Sequence, residues 1–180
     1  MYSGELCGNI NIRGLYPKIS KERAVEIAQK KLLSIIRRRC VVELVELYYK
    51  PYLLVKYRAS LVHRDSEHSS TEVVEHYIVI DMLTGVGFEE EEFNEAELTQ
   101  INIEECKVLK SEIDWKTALR EIERVIMKFK ARIYRRGFKV VEDRYTDLGL
   151  VYKPIWIITF RYRRKVEYVG VDAIKGIKIW

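Results

Sequence analysis

The tripeptide Tyr-Lys-Pro occurs twice, as Tyr49-Lys50-Pro51 and Tyr152-Lys153-Pro154, and the same landmarks surround both copies in the same order. A capped helical pattern precedes each. Ser20 caps a stripe of Val25, Ala28, Leu32, Ile35 and Ile36, and Asp114 caps one of Ala118, Leu119, Ile122, Ile126, Phe129 and Ile133. Three- and four-residue spacing puts such side chains on one helix face. Arg37, Arg38 and Arg39 close the first pattern and Arg135 and Arg136 the second, which suits the negative end of the helix dipole. Gly137 stands where a C-cap glycine belongs. A strand-like run follows each helix, over 41–48 and 138–145.

After each proline the pattern alternates. Leu53, Val55, Tyr57, Ala59 and Leu61 interleave with Tyr52, Leu54, Lys56, Arg58 and Ser60. In the second copy Trp156, Ile158, Phe160 and Tyr162 interleave with Ile155, Ile157, Thr159, Arg161 and Arg163. Period two predicts a strand with one side on a core. Each copy then closes on a strand, a turn and a short strand, with Asp81 and Gly85 or Asp172 and Gly176 at the turn. There the Asp side chain bonds nearby backbone, and Gly supplies positive φ.

Five landmarks in one order predict an internal duplication. The expected fold is α+β: two tandem similar modules, each one helix packed on a three- to four-stranded antiparallel sheet. The expected boundaries are a first module with an N-terminal extension over 1–88, an acidic linker over 89–112 and a second module over 113–180. Residues 89–105 hold eight glutamates and no Lys or Arg, in a chain of net charge +5. The modules are therefore basic, and the linker is suited to lie across a basic surface.

The closing hairpin, Tyr-x-x-x-Asp-x-x-(Thr/Lys)-Gly-(Val/Ile), resembles that of the PepSY module. Asp81, Thr84 and Gly85 carry the likeness in one copy and Asp172, Lys175 and Gly176 in the other, over 20–88 and 114–180. The resemblance implies a helix followed by antiparallel strands, a non-catalytic role, and the peptidase-directed binding for which that family is known. PepSY modules are mostly exported or membrane-associated. This sequence shows no signal peptide and no apolar run near the roughly 20 residues of a membrane span, so the cytoplasm is the expected compartment and no membrane contact is expected.

Among 180 residues, 48% are hydrophobic and 33% charged, with only two Gln and four Asn. Such a balance is that of hyperthermophile proteins, where ion pairs replace thermolabile amides. Cys7, Cys40 and Cys106 form no CxxC; buried free thiols are expected, with a single disulfide left open.

No catalytic triad, phosphate loop or dinucleotide-binding glycine pattern occurs, so neither enzyme activity nor a cofactor is expected. His63, Asp65, Glu67 and His68 have the most ligand-like chemistry. Their Ser-rich surroundings favour a solvated loop, and no metal site is predicted. The cations Lys128, Lys130, Arg132, Arg135 and Arg136, with Arg37 to Arg39, Arg161, Arg163, Arg164 and Lys165, suit phosphates. Trp156, Phe160 and Tyr162, however, fall on the apolar side of their strand, where packing beneath the helix accounts for them.

The expected function is a small cytosolic, non-enzymatic binding or regulatory protein acting on a protein or peptide. The second reading is a basic nucleic-acid-binding protein. Arg161, Arg163, Arg164, Lys165 and Trp180 are the candidate partner-binding residues, and sheet edges offer a route to a homo-oligomer.

Overall fold

The computed structural model describes residues 7–30, 40–64, 71–90 and 93–179. In chain order these form β1 (Asn9–Gly14), α1 (Lys21–Lys30), β2 (Val41–His63), β3 (Glu72–Asp81), β4 (Gly87–Glu90), β5 (Thr99–Glu104), α2 (Trp115–Arg135), β6 (Phe138–Tyr162) and β7 (Lys165–Asp172). Short 3-10 turns flank β5 at Glu95–Glu97 and Glu105–Lys107. Hydrogen bonding orders the strands β4-β3-β2-β6-β1-β5, with β7 also on β6. The chain divides into a terminal unit of residues 1–50, 96–110 and 152–180 and a central unit of residues 51–95 and 111–151.

The central unit is built on α2. Asp114 accepts the Thr117 N–H at 2.8 Å and opens the helix. Gly137, at φ +88°, takes the left-handed conformation that ends it. Between these caps Ala118, Ile122, Val125, Ile126, Phe129 and Ile133 are buried. They pack on Leu53, Val55, Tyr57, Ala59 and Leu61 of β2 and on Ile78 and Ile80 of β3. Each large aliphatic or aromatic side chain buried this way contributes about 1.5–3 kcal/mol.

In the terminal unit Ser20 accepts the Arg23 N–H at 3.3 Å, and Ala24 and Ala28 bury one face of α1 against Ile158 and Phe160 of β6 and Val169 and Val171 of β7. Leu32, Ile35, Ile36 and Arg37 to Arg39 lie outside the described residues. The β1–β5 ribbon belongs to this unit, antiparallel from Asn9↔Glu104 to Gly14↔Thr99. Gly14 also pairs with Tyr152, and a Cβ there would stand 2.6 Å from the Tyr152 carbonyl oxygen. The approach needs glycine.

The expectation of two tandem helix-on-sheet modules is overturned. The strands belong to one mixed sheet, and each helix packs on the hairpin of the other half of the sequence: α1 on β6–β7 and α2 on β2–β3. The reason lies in the prolines. Neither Pro51 nor Pro154 ends a strand; β2 runs unbroken for 23 residues and β6 for 25. Proline's fixed φ is compatible with extended backbone, so Tyr-Lys-Pro is where a strand leaves one unit for the other. The alternating stretch is thereby carried away from the helix that precedes it. Lys50 and Lys153, the central residues of the tripeptides, are both buried.

The closing turns do match one another. Asp81 Oδ1 accepts the Leu83 and Thr84 N–H groups at 2.9 and 3.3 Å, and Asp172 Oδ1 those of Ile174 and Lys175 at 2.7 and 2.9 Å. Gly85 and Gly176 have φ of +73° and +65°. The residue before each helix cap docks on a turn: Ile113 N–H donates to Met82 O at 3.0 Å, and Ile19 N–H to Ala173 O at 2.8 Å.

Candidate functional site

The β6–β7 hairpin gathers Arg161, Arg163, Arg164 and Lys165, the four cations among the candidate partner-binding residues. Tyr162 pairs with Lys165, which leaves Arg163 and Arg164 as a two-residue turn. Arg163 has φ +56° and is the sole non-glycine residue with positive φ among those described. A positive φ at the first central position is the turn geometry that favours glycine. An L side chain held there costs about 1–2 kcal/mol. The Arg163 guanidinium lies 5.3 Å from the Tyr162 ring centroid. Tyr162, Arg163, Arg164, Lys165 and Glu167 line an open cleft of about 490 Å³. Arg161, one turn of the pleat back, pairs through Nε with Glu43 at 2.6 Å, yet its side chain stays 57% exposed. Trp180 lies outside the described residues.

The aromatic residues of the first alternating face of β6 go inward. Phe160 is buried, and Trp156 packs at the same core and donates its indole N–H to Ile19 O at 2.8 Å. The opposite face of the hairpin is open. Val169 and Val171 point to α1, so period two turns Val166 and Tyr168 outward. Tyr168 is 63% exposed. In the sequence Tyr168 is only a landmark of the closing strand; counting back by twos from Val171 passes through Val169 and Glu167 and so leaves Tyr168 on the opposite face.

The corresponding face of the central unit is covered. Tyr77 pairs with Lys56 as Tyr168 pairs with Thr159. The Phe93 ring packs on Tyr77 with centroids 5.2 Å apart. Two residues on, Glu95 Oε1 accepts the Tyr77 hydroxyl at 2.7 Å and Lys56 Nζ at 3.1 Å. Burial and that carboxylate raise the pKa of the Tyr77 phenol. Glu75 and Glu95 together raise that of Lys56. On the same face Leu54 and Val79 are fully buried.

Other candidates are more ordinary. On α2, Lys130 pairs with Asp143 at 2.8 Å and Arg132 with Glu89. The His63 ring packs edge-on against Phe138, residues 65–70 lie outside those described, and the described residues hold no cluster of three metal-ligating side chains. His76 Nδ1 is buried without a hydrogen-bond partner, its ring 5.0 Å from that of Phe129. The Cys106 N–H donates to Cys7 Sγ at 2.7 Å. Hydrogen bonding to Cys7, with some burial, pushes the Cys106 thiol up to about 11. Both cysteines are exposed and Cys40 is half-buried. No described helix is long and apolar enough to cross a membrane.

No family model, curated protein or solved structure matches this chain. One hairpin face carries an aromatic ring, a hydroxyl and a cation covered by an acidic segment of the chain. Its counterpart carries the same kinds of group uncovered, beside a cationic tip.

Proposed function

We propose that this chain is a small, cytoplasmic, non-enzymatic binding protein whose partner is a protein or peptide, taken on the β6–β7 hairpin. The observation that carries the reading is the uncovered Tyr168 beside Arg161, at a register where the other hairpin half-buries its tyrosine beneath Phe93. Exposed tyrosine and arginine are the residue types that dominate protein-binding surfaces. Arg163 supports it as well, since an L residue kept in a glycine geometry at a binding edge is a familiar sign of selection for something other than stability. The PepSY-like closing turns fit the same non-catalytic role and remain part of the proposal.

The test is selection of random peptides on the immobilised full-length chain, followed by anisotropy titrations with the wild type and with Arg161→Glu/Arg164→Glu. Single- and double-stranded oligonucleotides are titrated in parallel at low and high salt. Selected peptides whose binding the double variant abolishes are the expected result. Oligonucleotide binding that falls steeply with salt, with no peptide enriched, would favour the nucleic-acid reading, which the exposed Arg163-Arg164-Lys165 tip makes the second choice.

A further inference from the structure

We infer that the open face of the β6–β7 hairpin takes an extended acidic segment in which an aromatic residue stands two positions before a carboxylate. This rests on the binding-protein reading above and names the class of its partner.

The template is internal. On the central unit the chain's own Phe93 packs on Tyr77, and Glu95, two residues later, accepts from the Tyr77 hydroxyl. Tyr168 occupies the equivalent register, four residues before the turn aspartate, as Tyr77 does before Asp81. Both tyrosines sit on the strand face turned away from the helix, since Ile78 and Val169 carry the buried side. No described residue hydrogen-bonds the Tyr168 hydroxyl, so a donor and a ring edge are both on offer.

Where the two faces differ, the terminal unit is the better host for an anion. Lys56 on the central face already pairs with Glu75 at 2.9 Å. One rung towards the tip, Arg58 faces Glu75 in the central unit; the matching rung is Arg161 and Val166. The acid is replaced by an apolar side chain. Arg161 pairs with Glu43 through Nε and keeps more than half of its side chain exposed. A guanidinium has five N–H donors, enough for a second carboxylate. Beyond it Arg163, Arg164 and Lys165 extend the positive potential along the path an acidic chain would follow. An aromatic ring settles on Tyr168 and Val166, and the carboxylate on the Tyr168 hydroxyl and Arg161.

A fluorescein-labelled synthetic peptide of residues 89–98 serves as the probe, titrated with the full-length protein. A photo-crosslinking analogue with benzoylphenylalanine at the Phe93 position locates it. Saturable binding is expected, with crosslinks to residues 165–169. Tyr168→Ala, or Phe93→Ala or Glu95→Gln within the peptide, should each weaken it by about tenfold, and Tyr168→Phe, which keeps the ring, by less. Tyr168 is exposed, so these variants should melt like the wild type. Crosslinks to β3 around Tyr77 would mean that the peptide merely displaces the chain's own segment, and would overturn the inference. So would failure of this peptide to bind while display-selected peptides still require Arg161 and Arg164; that outcome leaves the binding-protein reading standing. If no peptide of any kind binds, both fall.

Discussion

In the central unit Tyr77 lies under Phe93 and donates to Glu95, whereas in the terminal unit Tyr168, at the same register, is 63% exposed. The strand pairs beneath them are alike in register and in closing turn, so neither strand nor turn decides the difference. What decides it is where the chain goes next. After β4, residues 93–95 fold back over the outer face. After β7, the described residues pair along its edge, through Val171↔Lys178 and the Ile179 N–H on Gly170 O, and none of them folds back over the outer face. An amphipathic strand specifies one buried side; the fate of the other depends on a segment elsewhere.

The two faces should differ most in what they contribute to stability. Tyr77→Ala strips a packed ring and a charge-assisted hydrogen bond and should lower the free energy of unfolding by about 3 kcal/mol in urea titrations. Tyr168→Ala should change it by less than about 0.5 kcal/mol. Equal losses would mean that the two faces are not distinct. Phe93→Ala tests the covering segment itself, with an expected loss of about 2 kcal/mol and faster hydrogen exchange at β3 amides but not at β7 amides. Glu95→Gln keeps the shape and removes the charge that the Tyr77 hydroxyl meets; about 1 kcal/mol should go. The smallest effect carries the opposite sign. Arg163→Gly relieves a left-handed residue worth about 1–2 kcal/mol, offset by glycine's larger freedom in the unfolded chain. A net gain of about 0.5 kcal/mol is expected in the same titration, together with weaker peptide binding. A variant that loses stability instead would remove Arg163 as a sign of selection for binding.

Local features were readable in the sequence because they depend on neighbours in the chain. Ser20 and Asp114 cap their helices. Ala118, Ile122, Ile126, Phe129 and Ile133 are buried, and Val125 joins them because the buried stripe is wider than one row of side chains. Asp81 and Asp172 make their turns through the hydrogen bonds their spacing implies. The expectation that the acidic segment would meet cations describes Glu89 with Arg132, Glu95 with Lys56 and Glu97 with Lys18. What the sequence did not disclose is non-local. Periodicity says that Ala24 and Phe160 each face a core; it does not say that they face the same one. Pro51 and Pro154 each stand between two separate strand-like runs in the sequence, yet both lie inside one continuous strand, β2 or β6. The open face of Tyr168 has no local signature, because exposure is a property of the whole fold.

The exchange of helices between hairpins bears on how the chain is made. A ribosome has released everything the central unit requires once residue 151 has emerged, for its segments run from 51 to 151. Helix α1, synthesised before every segment of the central unit, finds its hydrophobic seat on Ile158, Phe160, Val169 and Val171 only after that unit is complete. Closing such a long stretch of polypeptide is entropically slow. During synthesis α1 waits for the whole central unit to be made, and the unit carrying the proposed binding face matures after it.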